Sequence, residues 1–398
     1  MILVFEMNWT GTVHAPGNAA TLQTIAHGCP EQQIRVFAAP AHIAELQRDP
    51  VLNGSRTISY GPIEIFPHHQ GKPGIVSWAR FRHEFRTIRA AVRTVPAGTP
   101  CLIVLISTTS TGIYAAALAA SLRGNSYVQI GLHGDLNEIN ARRSRNPLSR
   151  AFDLTSAMTR KWRNLRFLVL EGAISDELAK VAPAAAARTD VLPLPINISE
   201  VSADTEASLS YPLRIGFVGQ ATLAKGIDTF LEIAREMTER HPGRLEFFVI
   251  GRAYPGAKMP DFSVLAHPIS TDYLTRDEFM RMISELHFVF LPFQGAYYRL
   301  AASGALIDAV TWLKPIIAGE LPIVANWFNT FGDIGYLCAD PVAMRDQIDS
   351  VVRTLDSEHY RRQVDALRHA RGSRTPELLG RKYRDIVAAA FPNLTARR

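Results

Sequence analysis

At 398 residues, 47% hydrophobic and 20% charged, the sequence excludes a disordered, collagenous or disulfide-stapled chain and predicts two globular domains. No apolar run approaches the roughly 20 residues of a spanning helix, and the opening MILVFEMNW lacks a basic leader and contains Glu6, so it predicts a first strand and not a signal peptide. The net charge of +6 lies wholly in residues 1–200, which hold 20 Lys+Arg against 14 Asp+Glu, and three scattered cysteines without metal or redox spacing fit a reducing cytoplasm.

ILVFEM (2–7) predicts the first strand, and TGTVHAPGN (10–18) a glycine-bearing loop ahead of a short helix, AATLQTIAHG. IRVFAA (34–39) and HIAELQRD are a second strand and helix. TISYGPIEIF is strand-like but broken by Gly61 and Pro62. SWARFRHEFRTIRAAVRTV (77–95) predicts a long basic helix whose Trp78, Phe81 and Phe85 most simply face the core. CLIVLIS (101–107), apolar almost throughout, suits the middle of a parallel sheet. TGIYAAALAASLR, YVQIGLH (127–133), FLVLEG (167–172), ISDELAKV and VLPLPI (191–196) complete the first β–α series. NISEVSADTEASLSYP (197–212), polar and ending in proline, reads as a linker.

A second β–α series starts at Leu213 with LRIGFVGQATLAKGIDTFLEIA and LEFFVIGRAYPG. It continues as HFVFLPFQGAYYRLAASGALIDAVTWLKPIIAG and then LPIVANWFNTFG. Two further helical segments, PVAMRDQIDSVVRTLDSEHYRRQVDALRHARG and PELLGRKYRDIVAAAF, end the chain. The alternation predicts an α/β fold with two Rossmann-like domains and parallel sheets. Ligands of such sheets sit beyond the carboxyl ends of the strands, so the loops at Gly219, Gly251 and 297–304 are expected to line one crevice.

Two features of that crevice suit an anion. A strand ends at Gly219 and Lys225-Gly226 opens a helix, whose first N–H groups and dipole favour negative charge; Lys225 adds a point charge. Ser303-Gly304 reads as an N-cap followed by a small residue, which lets a phosphate approach the backbone. Asp308, one turn beyond Gly304 on the same side, can accept from ribose hydroxyls. The plainer readings are a turn glycine, a solvated lysine and a capped helix with no ligand.

In these residues the segment 213–340 resembles the C-terminal domain of the GT-B glycosyltransferases, in particular the retaining group called group 1 or family 4. Gly219, Lys225 and Gly226 match a Gly-Arg and Lys-Gly motif, and Asp308 stands at the second acidic position, six residues before Lys314-Pro315-Ile316-Ile317. The resemblance implies that Lys225 contacts the donor diphosphate, that Ser303 and Gly304 reach it through their backbone, that Asp308 holds the ribose, and that the base lies near Gly251. Gln220 stands where the family has an arginine, Leu300 where it has the first glutamate, and Leu313 where it has a glycine. Arg299 is one candidate to supply the missing positive charge. In the first half, YVQIGLHGDL is similar to a strand whose terminal histidine faces the transferred sugar, which implies that role for His133. The resemblance also places the loop carrying Gly11, His14 and Asn18 near the acceptor.

The implied architecture is GT-B: an N-terminal acceptor domain over 1–196, a linker over 197–212, a nucleotide-sugar donor domain over 213–374, a C-terminal helix over 375–398 returning to the first domain, and a cleft between the domains. The implied activity is metal-independent, retaining transfer of a sugar from a nucleotide-diphosphate sugar to an acceptor hydroxyl, with a glycan or lipid-linked glycan of surface polysaccharide assembly as acceptor. No metal and no cofactor beyond the donor is expected. The loss of the first glutamate leaves an inverting transferase or a nucleotide-sugar epimerase open, and a non-catalytic nucleotide-sugar binder as well. Residues 142–166 hold Arg142, Arg143, Arg145, Arg150, Arg160, Lys161, Arg163 and Arg166 against Asp153 alone. With the basic helix 77–95 they suggest peripheral contact with an anionic membrane at the cytoplasmic face. No nucleic-acid motif accompanies the charge.

Overall fold

The computed structural model describes residues 1–67, 73–140, 146–199, 201, 208–253, 260–293 and 298–395. The chain divides into two units: Met1–Ser199 with Leu300–Ala302 and Arg374–Arg398, and Glu200–Arg299 with Ser303–Ser373. Arg142, Arg143, Arg145, Tyr297 and residues 200 and 202–207 of the expected linker lie outside the described residues.

The first unit is built on β1 (Ile2–Glu6), β2 (Ile34–Ala38), β3 (Ile58–Pro62), β4 (Cys101–Ser107), β5 (Ser126–Leu132), β6 (Leu165–Val169) and β7 (Thr189–Val191). They pair in parallel in the order β3-β2-β1-β4-β5-β6-β7. β1 and β4, buried at every position, fill the middle, as unbroken apolar runs do in sheets covered on both faces. Helices α1 (Ala15–Gly28), α2 (Pro40–Leu46), α3 (Pro50–Asn53), α4 (Pro73–Arg93), α5 (Ser110–Ser121), α6 (Pro147–Arg150), α7 (Leu154–Thr159), α8 (Gly172–Val181) and α9 (Pro183–Ala186) connect the strands.

The second unit has β8 (Leu213–Val218), β9 (Leu245–Ile250), β10 (Phe288–Leu291), β11 (Ile316–Gly319) and β12 (Gly335–Cys338), parallel in the order β12-β11-β10-β8-β9. Its helices are α10 (Ile227–Arg240), α11 (Arg276–Ser284), α12 (Gly304–Thr311), α13 (Pro322–Phe331), α14 (Pro341–Thr354) and α15 (Ser357–Gly372). The chain then returns to the first unit as α16 (Pro376–Ala390) and α17 (Pro392–Thr395). Two sheets of doubly wound, Rossmann-like order result. Each reverses its strand order beside its first strand, between β1 and β4 and between β8 and β10. Those switch points are where such sheets open a crevice.

Several expected boundaries move. α1 starts at Ala15, four residues early, because Pro16 suits a first helical turn. Gly17 and Asn18 therefore belong to a helix and not to a loop. Gly61 and Pro62 end β3 rather than break it; β3 is an edge strand, where a missing N–H is tolerated. VLPLPI supplies only the end of β7, its prolines lacking ladder donors. The basic stretch 147–159 contains α6 and α7. The first of the two C-terminal segments is two helices, parted by Leu355 at φ 41°. Trp78, expected in the core, is 41% exposed, while Phe81 and Phe85 are half-buried. Among the described residues no helix is long and apolar enough to cross a membrane, and no cluster of His, Cys, Asp and Glu could hold a metal.

Candidate functional site

In the second unit the loop after β8 and the start of α12 flank the β8–β10 switch point. Gly219 turns at φ +105°, and its N–H donates to the Ile250 carbonyl at 2.8 Å. A Cβ on Gly251 would fall 1.9 Å from the Gly219 carbonyl oxygen, so the two strand ends touch backbone to backbone. Lys225 closes a single 3-10 turn, and Gly226 follows at φ +79° as the N-cap of α10. A side chain at Gly226 would meet the Pro292 carbonyl oxygen at 2.0 Å, so the loop after β8 is seated against the end of β10.

The Lys225 side chain folds back over this turn, its Nζ 3.4 Å from where a Gly219 Cβ would stand. Burial pushes the ammonium pKa down, and the Asp308 carboxylate acts in the opposite direction. Lys225 and Asp308 are thus electrostatic neighbours. Ser303 is 2% exposed and caps α12, its Oγ accepting from the Leu306 N–H at 3.2 Å. Gly304 is exposed at the first helical position, where backbone N–H groups have no intrahelical acceptor. Asp308 is half-buried one turn further on. The loop after β8 thus holds Gly219, Lys225 and Gly226 together with Gly251 against Gly219, and Asp308 of α12, the helix that Ser303 and Gly304 begin, acts on Lys225. Gln220 is half-buried on the same loop and Arg299 is exposed. Leu300 is buried at 5% exposure; Lys314 is wholly buried, its Nζ donating to the Ser284 carbonyl at 2.6 Å.

In the first unit the switch point is organised by Glu6, which sequence reasoning passed over. It is 1% exposed at the end of β1. Its Oε1 accepts from the N–H groups of Asn8 and Trp9 at 2.8 and 3.1 Å, and from Ser107 Oγ at 2.6 Å. Its Oε2 accepts from Asn18 Nδ2 at 3.0 Å. The signal available was a carboxylate ending an otherwise apolar strand, a position that only dedicated donors can support. Asn8 extends the network: Arg80 Nη2 donates to its Oδ1 at 2.7 Å, and Arg80 Nε donates to Glu84 at 3.0 Å. Burial raises the Glu84 pKa, against the pull of Arg80 and threonine hydroxyls.

Asn18, expected to touch an acceptor, is corrected to a positioning residue. It is 2% exposed inside α1, and its amide is engaged by Glu6 and by His42 Nε2 at 3.0 Å. His42 Nδ1 in turn donates to the Gly11 carbonyl at 2.8 Å, holding Gly11 at φ +59°. His14 is exposed, with its ring 4.8 Å from Trp9 and 5.9 Å from His133. The His133 Nε2 donates to the Ile106 carbonyl at 2.8 Å; a neutral ring then keeps Nδ1 as an acceptor. Burial lowers the His133 pKa, with Glu6 opposing, so the neutral ring dominates near pH 7. A cavity of about 700 Å³ opens at the carboxyl ends of β1, β2 and β3, lined by Asn8, Thr10, Pro40, Ile63, Ile65 and Phe66 among others.

No family model and no curated protein matches the chain. Solved structures do. A glycosyltransferase from Rickettsia africae ESF-5 superposes with TM-score 0.65 at 12% identity, over 98% of each chain. The N-terminal domain of a trehalose-6-phosphate phosphatase from Candida albicans gives 0.65 at 11% identity, over 98% of this chain and 96% of that one. WaaG, a glycosyltransferase involved in lipopolysaccharide biosynthesis, gives 0.60 at 12% identity, over 97% and 99%. Likeness at such identity establishes the fold: two Rossmann-like domains of GT-B architecture.

Proposed function

We propose that the protein is a glycosyltransferase that moves a sugar from a nucleotide-diphosphate sugar to an acceptor hydroxyl. The observation that supports the reading is that Lys225, on the loop after β8, is within electrostatic reach of Asp308 on α12, a helix that opens with the Ser303 cap. Sugar transfer makes the nucleoside diphosphate a leaving group. Backbone N–H groups already aimed at it, with a partly desolvated ammonium, stabilise the charge that develops. Asp308 accepts from the ribose and opposes the burial that disfavours the Lys225 ammonium. His133 is assigned to the transferred sugar, its Nδ1 accepting from a hydroxyl, and His14 with Gly11 to the acceptor. Several solved structures with this fold are described as glycosyltransferases, which supports the class of reaction.

We further propose a retaining, metal-independent reaction and a glycan or lipid-linked acceptor of surface polysaccharide assembly. The first unit carries exposed Ile75, Trp78 and Leu148 alongside exposed Arg82, Arg86 and Arg150, which favours peripheral contact with anionic lipid. Calorimetry with UDP, GDP, ADP and their sugars tests the donor assignment. The true donor is expected to raise the melting temperature by several degrees through mass action. Lys225→Ala is expected to lower transfer roughly 100- to 1,000-fold, the loss seen when one charge-stabilising donor is removed. Full activity in that variant, or no nucleotide binding at all, would falsify the reading.

A further inference from the structure

We infer that Arg252, held on Tyr273 at the carboxyl end of β9, reads the base of the bound nucleotide and selects guanine or uracil over adenine. The inference deepens the donor-binding reading above and rests on it.

β8, α10 and β9 form one β–α–β unit with adjacent parallel strands. In mononucleotide units of this kind the phosphates sit at the turn after the first strand, and the nucleoside is recognised at the end of the second. That second position commonly holds an acid that accepts from ribose hydroxyls. Here it holds Arg252, the residue after Gly251, and a guanidinium can only donate. The ribose role is already met by Asp308, so the acceptor for Arg252 lies elsewhere on the nucleotide.

The backbone fixes Arg252 firmly. Its carbonyl accepts from the Ala221 N–H at 2.9 Å, tying it to the loop after β8, and it bridges Ser270 on its other side. Its guanidinium carbon lies 3.8 Å from the centroid of the Tyr273 ring. Such a stack fixes the guanidinium plane and with it the directions of the in-plane donors. The Arg252 Nε is buried and has no hydrogen-bond acceptor among the described residues. A buried donor without an acceptor is destabilising unless a ligand completes it. Gln220, on the neighbouring loop, brings no positive charge, and the Lys225 side chain is folded back over the turn at Gly219, so Arg252 is the cation placed at the end of β9 itself.

A planar, edge-on donor pair recognises a planar acceptor edge. Guanine presents O6 and N7, and uracil presents O4, whereas adenine sets an amino donor beside N7. The expected discrimination from one such contact is roughly 10-fold or more.

The test is calorimetric binding of UDP, GDP, ADP and inorganic pyrophosphate to the full chain and to Arg252→Ala and Arg252→Lys. The expected result is that the wild type binds UDP or GDP at least about tenfold more tightly than ADP, and that both variants lose this preference. Pyrophosphate affinity is expected to stay within about twofold in both. Lysine keeps the charge without the fork, so restored discrimination in Arg252→Lys overturns the base-reading role. So does an equal loss for all four ligands, which would make Arg252 a phosphate contact. So does a wild type that favours ADP, or an unchanged ratio in Arg252→Ala. Failure of the wild type to bind any of the four overturns the donor-site reading itself, and this inference with it.

Discussion

Individual residues carry the electrostatic logic of the molecule, and His287 is the clearest case outside the site. It is 5% exposed and its tautomer is dictated by its neighbours. Its Nδ1 accepts from the Arg214 N–H at 2.9 Å, and its Nε2 donates to the Ser208 carbonyl at 3.1 Å. A protonated ring would point N–H at N–H. Burial first, with Lys314 and Arg214 adding to it, pushes the pKa down to about 4. Between pH 6.5 and about 4 the unfolded chain binds the proton and the folded chain does not. Stability is therefore fully present above pH 6.5 and falls as pH drops through that window, by up to about 3 kcal/mol. Urea unfolding from pH 7 to 4.5 should show a steeper loss in wild type than in His287→Asn, which keeps an acceptor but cannot titrate. Parallel pH curves for the two proteins would rule out the assignment. Leu313 illustrates a different balance. It adopts φ 54°, a conformation that favours glycine, yet its side chain is 4% exposed. The left-handed backbone costs about 1–2 kcal/mol, and burying a leucine contributes about 2–3 kcal/mol, so the larger residue is tolerated there.

Among the elements, the β1–α1 connection depends on one carboxylate. Glu6 accepts from Asn8, Trp9, Ser107 and Asn18, and so sets the end of β1, the path of the loop and the seating of α1 at once. Glu6→Gln turns part of an acceptor-only group into a donor that faces donors. The expected outcome is a loss of about 1–3 kcal/mol in chemical denaturation. An unchanged denaturation midpoint would show that the network is not holding the loop. The same connection explains what was legible in the sequence. Buried strands such as CLIVLIS announce themselves by unbroken apolar runs, and Ser303-Gly304 by cap chemistry, because both signals are local. The role of Glu6 was hidden because Ser107, Asn18 and the loop amides come from separate parts of the chain. The same holds for Arg252, whose meaning depends on Tyr273 and on the strand beside it. His14 and His133 were each visible as accessible histidines; their 5.9 Å approach arises only because β1 and β5 open toward the same sheet edge. The early start of α1 was hidden by Pro16, which looks like a breaker until it falls at a first helical turn.

At the scale of the whole molecule, the order of the chain differs from the order of its folded units, since residues beyond Arg374 complete a core that begins at Ile2. α16 packs along α1 at a glycine crossing: a Cβ on Gly380 would fall 2.6 Å from the His27 Cβ, and one on Gly28 would fall 2.8 Å from the Gly380 carbonyl oxygen. Leu379, Tyr383, Val387, Phe391 and Leu394 enter the same cluster as Val4, Leu22 and Val104. Arg374 makes a buried two-pronged pair with Glu171 at 2.9 and 3.0 Å, and Arg384 Nε donates to the Gly28 carbonyl at 2.9 Å. Removing residues 374–398 deletes five core side chains, whose burial contributes about 1.5–3 kcal/mol each. It also breaks the buried two-pronged Arg374–Glu171 pair, which costs about 3–5 kcal/mol. Together these losses match or exceed the roughly 5–15 kcal/mol by which whole domains are stable. A chain ending at Ser373 is therefore expected to lose its first unit to limited proteolysis, while the second unit, whose sheet and helices lie within Glu200–Ser373, persists as a resistant fragment. Proteolysis followed by mass spectrometry distinguishes the outcomes. Protection of residues 1–199 equal to that in the full chain would mean that the first sheet closes its core without α16, contrary to the packing of Tyr383 and Phe391 against it.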